Sequence, residues 1–195
     1  MSTENLFVIF PPGAGGNHLA NIIALSGRFN RAVDYNRYDN IKGPAHFSKI
    51  QNLEITSEEI RSISTQNNVL CSHLAQYLWR QDLIKEYLPN RKYIIIDLNN
   101  ASAKVRERMN KVFFPYQHNY MWEECSTLYS SKYFGIVTGE TDYFYINVGM
   151  IATPDIIPLL TCLKTELELT IDQGSATTIH QKWYNSNFNG ALNNE

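Results

Sequence analysis

The sequence predicts an α/β domain in three layers, with a mostly parallel sheet flanked by helices. Three observations predict it. Short runs that are apolar on both faces recur at Leu6–Phe10, Asn68–Ser72, Lys92–Asp97 and Tyr143–Val148. Segments with helical spacing of apolar residues separate them, and strands alternating with helices build a parallel sheet covered on both sides. The first run passes through Gly13, Gly15 and Gly16 into Leu19, Ile22 and Ile23 at helical spacing. Crossovers in such a sheet are right-handed, and ligands bind at the carboxyl ends of its strands. Leu6–Phe10 is therefore expected at the centre.

Each element has its own reason. Leu6-Phe-Val-Ile-Phe10 is a continuous apolar strand. After the first helix, the polar stretch Asn30–Asn52 holds a weak strand signal around Ala32–Asp34. Thr56-Ser-Glu-Glu59 has the form of a capping box and opens a short helix with Ile60 and Ile63 inward. Asn68-Val-Leu-Cys-Ser72 ends at His73, and Tyr77, Leu78, Ile84 and Leu88 then form the stripe of a helix stopped by Pro89. Lys92-Tyr-Ile-Ile-Ile-Asp97 is the clearest strand. Asn99 and Asn100 are candidate caps for a helix with Ala101, Val105, Met109 and Val112 on its apolar stripe. Residues 114–139 are aromatic, polar and irregular and read as a lid, whose aromatics are candidates to line an acceptor pocket. Asp142–Val148 supplies another strand. Pro154 opens a helix through Leu167, and Thr177–Asn187 forms a last one, with His180 and Trp183 on one face packing it to the core. The tail 189–195 is expected to fray.

Composition narrows the function. The 195 residues fit one domain, 1–195, with a lid at 114–139, and such a chain buries roughly 70% of its unfolded surface. Hydrophobic residues at 44% and charged ones at 18% exclude a disordered chain. The net charge is −2 and no basic run is present, which disfavours nucleic acid and membrane surfaces as partners. The three cysteines, Cys71, Cys125 and Cys162, are far apart and lack zinc spacing, so free thiols in a reducing compartment are expected. The first apolar run is too short for a signal or a membrane span, and the chain reads as cytoplasmic.

The opening strand, glycine turn and helix form the geometry of an anion site. Backbone N–H groups are exposed there, and the helix N-terminus adds positive potential. The ligand is therefore expected to bear phosphate. On this reading a Val at Gly15 would place a side chain where the anion approaches, without unfolding the domain. A Walker A loop needs a lysine and a Ser/Thr after its glycines, and Gly16-Asn17-His18-Leu19 supplies neither. Asp97 ends an apolar strand as a magnesium-binding Walker B carboxylate does, which keeps a divergent P-loop kinase-like enzyme as an alternative. The G-x-G-x-x-G fingerprint fails at His18, and Asp34 is the one candidate ribose-binding acid.

Pro12-Gly-Ala-Gly-Gly-Asn-His-Leu19 resembles the phosphosulfate loop of the sulfotransferases, P-K-S-G-T-T-W-L, sharing Pro12, Gly15 and Leu19. Val69-Leu-Cys-Ser-His73-Leu74 resembles the family's second signature, and Lys92–Arg106 stands where its 3′-phosphate segment does. The resemblance implies a small P-loop-like, sulfotransferase-like member. It implies a donor, 3′-phosphoadenosine 5′-phosphosulfate, bound by Pro12, Gly13, Ala14, Gly15, Gly16, Asn17, His18, Asn99 and Arg106. It implies His73 as the base that deprotonates a small hydroxyl or amine acceptor, with no metal. The departures are specific. Gly13 replaces the loop lysine, Cys71 the lysine of the second signature, and Leu98-Asn99-Asn100 the R-N-P that opens the third. Arg106 or Arg108 could restore one phosphate contact; two apart on a helix, they face different ways. A protonated His18 is a further substitute cation. Loss of these cations leaves a non-catalytic phosphate- or nucleotide-binding protein as the second alternative.

Overall fold

The computed structural model describes residues 3–31, 58, 61, 64–99, 101–113, 126–130 and 133–189. Within them the strands are β1 (Asn5–Ile9), β2 (Asn30–Arg31), β3 (Asn68–Ser72), β4 (Arg91–Asp97) and β5 (Tyr143–Asn147). They form one sheet in the order β2-β3-β1-β4-β5, and every pairing is parallel. The expected α/β architecture is present, with β1 at its centre. Phe7 lies opposite Leu70 on one side and Tyr93 on the other.

Burial follows position in the sheet. All five residues of β1 and all five of β3 are buried, while edge strand β5 buries Ile146 and half-buries the rest. Ile94, Ile95 and Ile96 are fully buried, each contributing about 1.5–3 kcal/mol of transfer free energy. Asn5 and Asn68 are buried polar exceptions, and Asn68 Nδ2 donates to Asn5 Oδ1 at 3.1 Å.

The helices are α1 (Gly16–Ala24), α2 (Leu74–Tyr87), α3 (Ala103–Phe113), α4 (Phe134–Thr138), α5 (Val148–Ile151), α6 (Ile157–Leu167) and α7 (Gln173–Tyr184), with a π turn at Asn185–Asn189. In α2, Tyr77 and Ile84 face the core, and Leu88 follows just before Pro89. Ala101, Val105 and Met109 are likewise buried along α3.

Three helix starts correct the expectation. Ser102 opens α3, its Oγ accepting from Val105 N at 3.3 Å, whereas Asn99 turns back to Asp97. Asn100 is outside the described residues. α6 begins at Ile157 with Pro158 in its first turn, not at Pro154. α7 begins earlier than expected, at Gln173, because Asp172 Oδ1 accepts from Ser175 N at 2.8 Å and meets an otherwise unpaired helix N–H.

The expected strand at Ala32–Asp34 lies outside the described residues, as do all but Glu58 of the capping box and both Ile60 and Ile63. β2 ends at Arg31, just before those residues. Of the expected lid, residues 114–125 and 131–132 are outside. Of the described remainder, Phe134 is fully buried against Tyr77 and Tyr93, with ring centroids 6.2 and 5.3 Å away, while Ile136 is exposed. Tyr129 is buried, and its hydroxyl accepts from Leu74 N, the first N–H of α2, at 3.1 Å. Among the described residues no helix is long and apolar enough to cross a membrane. Cys71 and Cys162 form no disulfide among the described residues, and Cys71 Sγ donates to Gly16 O at 3.7 Å.

Candidate functional site

The loop after β1 leaves the centre of the sheet at its carboxyl edge. Ala14 N donates to Pro11 O at 3.1 Å, closing a turn with Pro12 second and Gly13 third. Gly13 has φ 84°. Proline followed by a positive-φ glycine is the sequence of a type II turn. Gly15 is the N-cap of α1 in the left-handed region, φ 82° and ψ 17°. Leu19 N is the first N–H of α1 to find a carbonyl, that of Gly15 at 3.0 Å. The N–H groups of Gly16, Asn17 and His18 precede it and have no acceptor in the helix.

The side faces of the glycines correct one expectation. A Cβ on Gly15 would lie 3.0 Å from Ile151 Cγ2 and 3.1 Å from Trp183 Cζ2, and one on Gly16 would lie 2.1 Å from Phe10 Cδ1. Both glycines leave room for neighbouring side chains. A Val at Gly15 would meet α5 and α7, and would be strained by its φ besides. A lysine at Gly13, which would mimic the family's loop cation, is strained in the same way. Ala14 is buried in the core, so of this residue only the backbone can face a ligand.

His73 follows β3 and is the N-cap of α2, in extended conformation. It makes no side-chain cap bond. Its Nδ1 instead donates to Phe10 O at 2.7 Å, at the head of the glycine loop, and its ring meets the Phe10 ring edge-on at 4.9 Å. Because a carbonyl can only accept, Nδ1 carries the proton and Nε2 keeps its lone pair. Burial holds the imidazole below its ordinary pKa, opposed by the Phe10 hydrogen bond.

Arg106 and Arg108 bond in different directions, and it is Arg108 that reaches the glycine loop. Its Nη1 donates to Gly13 O, and its Nη2 donates to Asn187 Oδ1 at 2.6 Å. The guanidinium lies over the Phe188 ring at 5.1 Å and the Trp183 ring at 5.8 Å. Burial pushes it down to about 10, so it remains a cation at neutral pH. Arg106 is exposed and its Nε donates to Ala101 O at 3.2 Å.

His18 is buried, and it does not supply a cation. Its ring is stacked on Trp183, with centroids 4.2 Å apart and planes 2° from parallel, and its Nε2 is 2.9 Å from His180 Nδ1. Burial first, and His180 second, hold it well below the ordinary histidine pKa, so it is neutral at pH 7. His180 is fully buried and Trp183 nearly so, and the face they share packs α7 on α1.

Asn17 does not cap α1, since Gly15 holds that position without a side-chain bond. Its Oδ1 is buried with no hydrogen-bond partner among the described residues, which costs about 1–3 kcal/mol unless a donor reaches it. Asn99 is exposed at the end of β4. Its N and Nδ2 donate to the two oxygens of Asp97 at 2.8 and 2.9 Å, and its carbonyl accepts from Asn147 Nδ2. Asp34 lies outside the described residues.

The loop, His73 and Arg108 are thus joined by hydrogen bonds, while Arg106 and the Asn99 side chain are engaged elsewhere. Sequence reasoning missed the contribution of Asn187, which follows Trp183 by four positions and donates to its carbonyl at 2.7 Å.

No protein-family model and no curated protein matches the chain. Among solved structures, the crystal structure of an unliganded sugar kinase from Janibacter sp. HTCC2649 is similar, with a TM-score of 0.47 and 14% identity, over 91% of this chain and 98% of that one.

Proposed function

We propose that the chain is a nucleotide-dependent transferase that moves a sulfuryl group from 3′-phosphoadenosine 5′-phosphosulfate to a small hydroxyl or amine acceptor. One observation carries the reading: the His73 imidazole is held against the first carbonyl of the glycine loop in the tautomer of a general base. The N–H groups at the start of α1 that have no acceptor in the helix fit an anionic group of the donor. The donor supplies an activated sulfuryl group whose S–O bond to phosphate breaks. His73 Nε2 takes the acceptor proton as the acceptor atom attacks sulfur, and its depressed pKa keeps it neutral for that task. The N–H groups of Gly16, Asn17 and His18 face the charge that develops on the leaving phosphate. Arg108 adds positive potential from the far side of the Gly13 peptide, in place of the absent loop lysine. The Asn17 Oδ1 acceptor suits a donor group on the bound molecule.

Calorimetry with 3′-phosphoadenosine 5′-phosphate, ATP and NAD side by side tests the scaffold. The first alone should bind. With a competent acceptor, His73→Gln should lower the transfer rate by about 10²- to 10⁴-fold and leave donor affinity nearly unchanged. Near-normal turnover of that variant would refute the role of His73.

The missing cations favour a second reading, a non-catalytic binder of phosphate or nucleotide on the same scaffold. It predicts binding of 3′-phosphoadenosine 5′-phosphate without turnover of any acceptor. Binding of ATP alone would point instead to kinase-like chemistry, and binding of none of the three would remove the nucleotide from both readings.

A further inference from the structure

The histidines between α1 and α7 form a chain with only one neutral arrangement. His180 Nε2 is 2.6 Å from Thr153 O, a carbonyl that can only accept. Its proton must therefore be on Nε2, which leaves Nδ1 as an acceptor. His18 Nε2, 2.9 Å from that Nδ1, must then be the donor. The result is a directed line, His18 Nε2–H to His180 Nδ1 and His180 Nε2–H to Thr153 O. It ties the helix that follows the glycine loop to the C-terminal helix, across a separation in sequence that no local signal bridges.

The same contact is the main attachment of α7 to the loop. Trp183 stacks on His18 and abuts Gly15. One turn on, Asn187 is bound to Arg108, which also holds Gly13 O. We propose that α7 is a proton-released latch on the glycine loop. With both imidazoles neutral the helix is held; with a proton on His180 Nδ1 the two rings present N–H to N–H, and α7 lets go of α1.

Burial gives the sign. α1 brings only His18 to this contact. From the segment before α6, Asp155 favours the charged form of His180, but burial outweighs it. From α7, the Tyr184 ring lies 6.4 Å from His180. From α3, Arg108 lies over Trp183 and Lys104 over Tyr184 at 5.6 Å. Both histidines are held below the ordinary value of 6.5. The latch is therefore closed at neutral pH and opens as pH falls below that value. It does not depend on the proposed ligand.

Hydrogen exchange of the full chain, corrected for the intrinsic pH dependence of the rate, tests this between pH 7.5 and 5. Residues 173–184 and the start of α1 should lose protection by about tenfold per pH unit once one extra proton is taken up. α6 should lose less protection over the same range than α7. Loss of protection in all helices together would mean ordinary acid unfolding and would overturn the latch. His18→Gln is the decisive variant. Its amide can donate to a neutral His180 and, turned over, accept from a protonated one, so the pH dependence in α7 should flatten. A variant that keeps the full pH dependence refutes the pair. Nitrogen-15 spectra of the unmutated protein give a test that needs no variant. Both imidazoles should be Nε2–H tautomers at pH 7.5, and a Nδ1–H signal on either, or ordinary titration near 6.5, refutes the proposal.

Discussion

Two neighbouring strands leave the carboxyl edge of this sheet and turn into helices, and they do so by opposite means. After β1 the chain needs a turn, two left-handed glycines and a helix start packed on Phe10 before α1 begins. After β3 a single residue, His73, separates strand from helix and is the N-cap of α2. At the first junction the glycines admit neighbouring side chains, those of Phe10, Ile151 and Trp183. At the second the cap side chain leaves its own helix and reaches across to Phe10 O. The Leu74 N–H is met by Tyr129 instead. The difference teaches that glycine in a strand–helix loop marks close approach without naming what approaches. An underused cap residue is the better sign of a side chain held for another purpose.

The comparison can be broken at several points, the largest effect first. Gly16→Ala should cost about 3 kcal/mol, the upper end of ordinary overpacking, because its Cβ falls inside the Phe10 ring. Adding Phe10→Leu should recover part of that loss in urea unfolding, and a strictly additive pair would show that the ring is not the cause. Gly15→Ala should cost about 1–2 kcal/mol from its left-handed backbone, plus the displacement of Trp183. If Gly15→Ala is neutral, the close packing of α7 on the loop is wrong.

Arg108→Ala sharpens the first junction, because it removes the bonds to Gly13 and Asn187. A hydrogen bond from a charged group contributes about 1.5–3 kcal/mol, but release of a half-buried cation offsets part of it, so a loss of about 1 kcal/mol is expected. Thermal unfolding would register it. Acid should act on both junctions. His18, His73 and His180 are all held below their ordinary pKa, so the unfolded chain binds more protons. Their contribution is fully present above about pH 6.5 and is lost as pH falls toward the folded values. A urea midpoint that rises between pH 7.5 and 5.5 would contradict this. The smallest effect is Arg106→Ala, expected within about 0.5 kcal/mol for an exposed side chain. A larger loss would show that the Arg106 bond to Ala101 O carries more of the α3 start than an exposed bond should.

How much of this the sequence disclosed follows from the range of each interaction. The four main strands were legible because a parallel strand is apolar on both faces over a short window. The glycine loop and the Arg106/Arg108 alternative were legible for the same local reason, as turn chemistry and helix spacing. Which arginine faces the loop was not, since that depends on how α3 is rotated against residues near position 187. The His18–His180 bond was equally hidden, because only tertiary packing brings those rings together. The cap at Ser102 had a local signal that stood beside a stronger-looking one at Asn99, and the one at Asp172 lies before Thr177, the expected start of its helix.

The central place of β1 has a consequence for the order in which the protein is made. Phe7 pairs with Leu70 and Tyr93, so the strand synthesised first acquires its neighbours only after much of the chain has followed. At about 5–20 residues per second, a nascent Leu6–Phe10 waits on the order of 3–13 seconds for β3 to leave the ribosome, and longer for β4. Through that interval the most apolar segment of the future core is an unpaired strand with both edges open. The position that makes β1 the foundation of the finished sheet makes it the segment a ribosome-bound chaperone has most reason to cover.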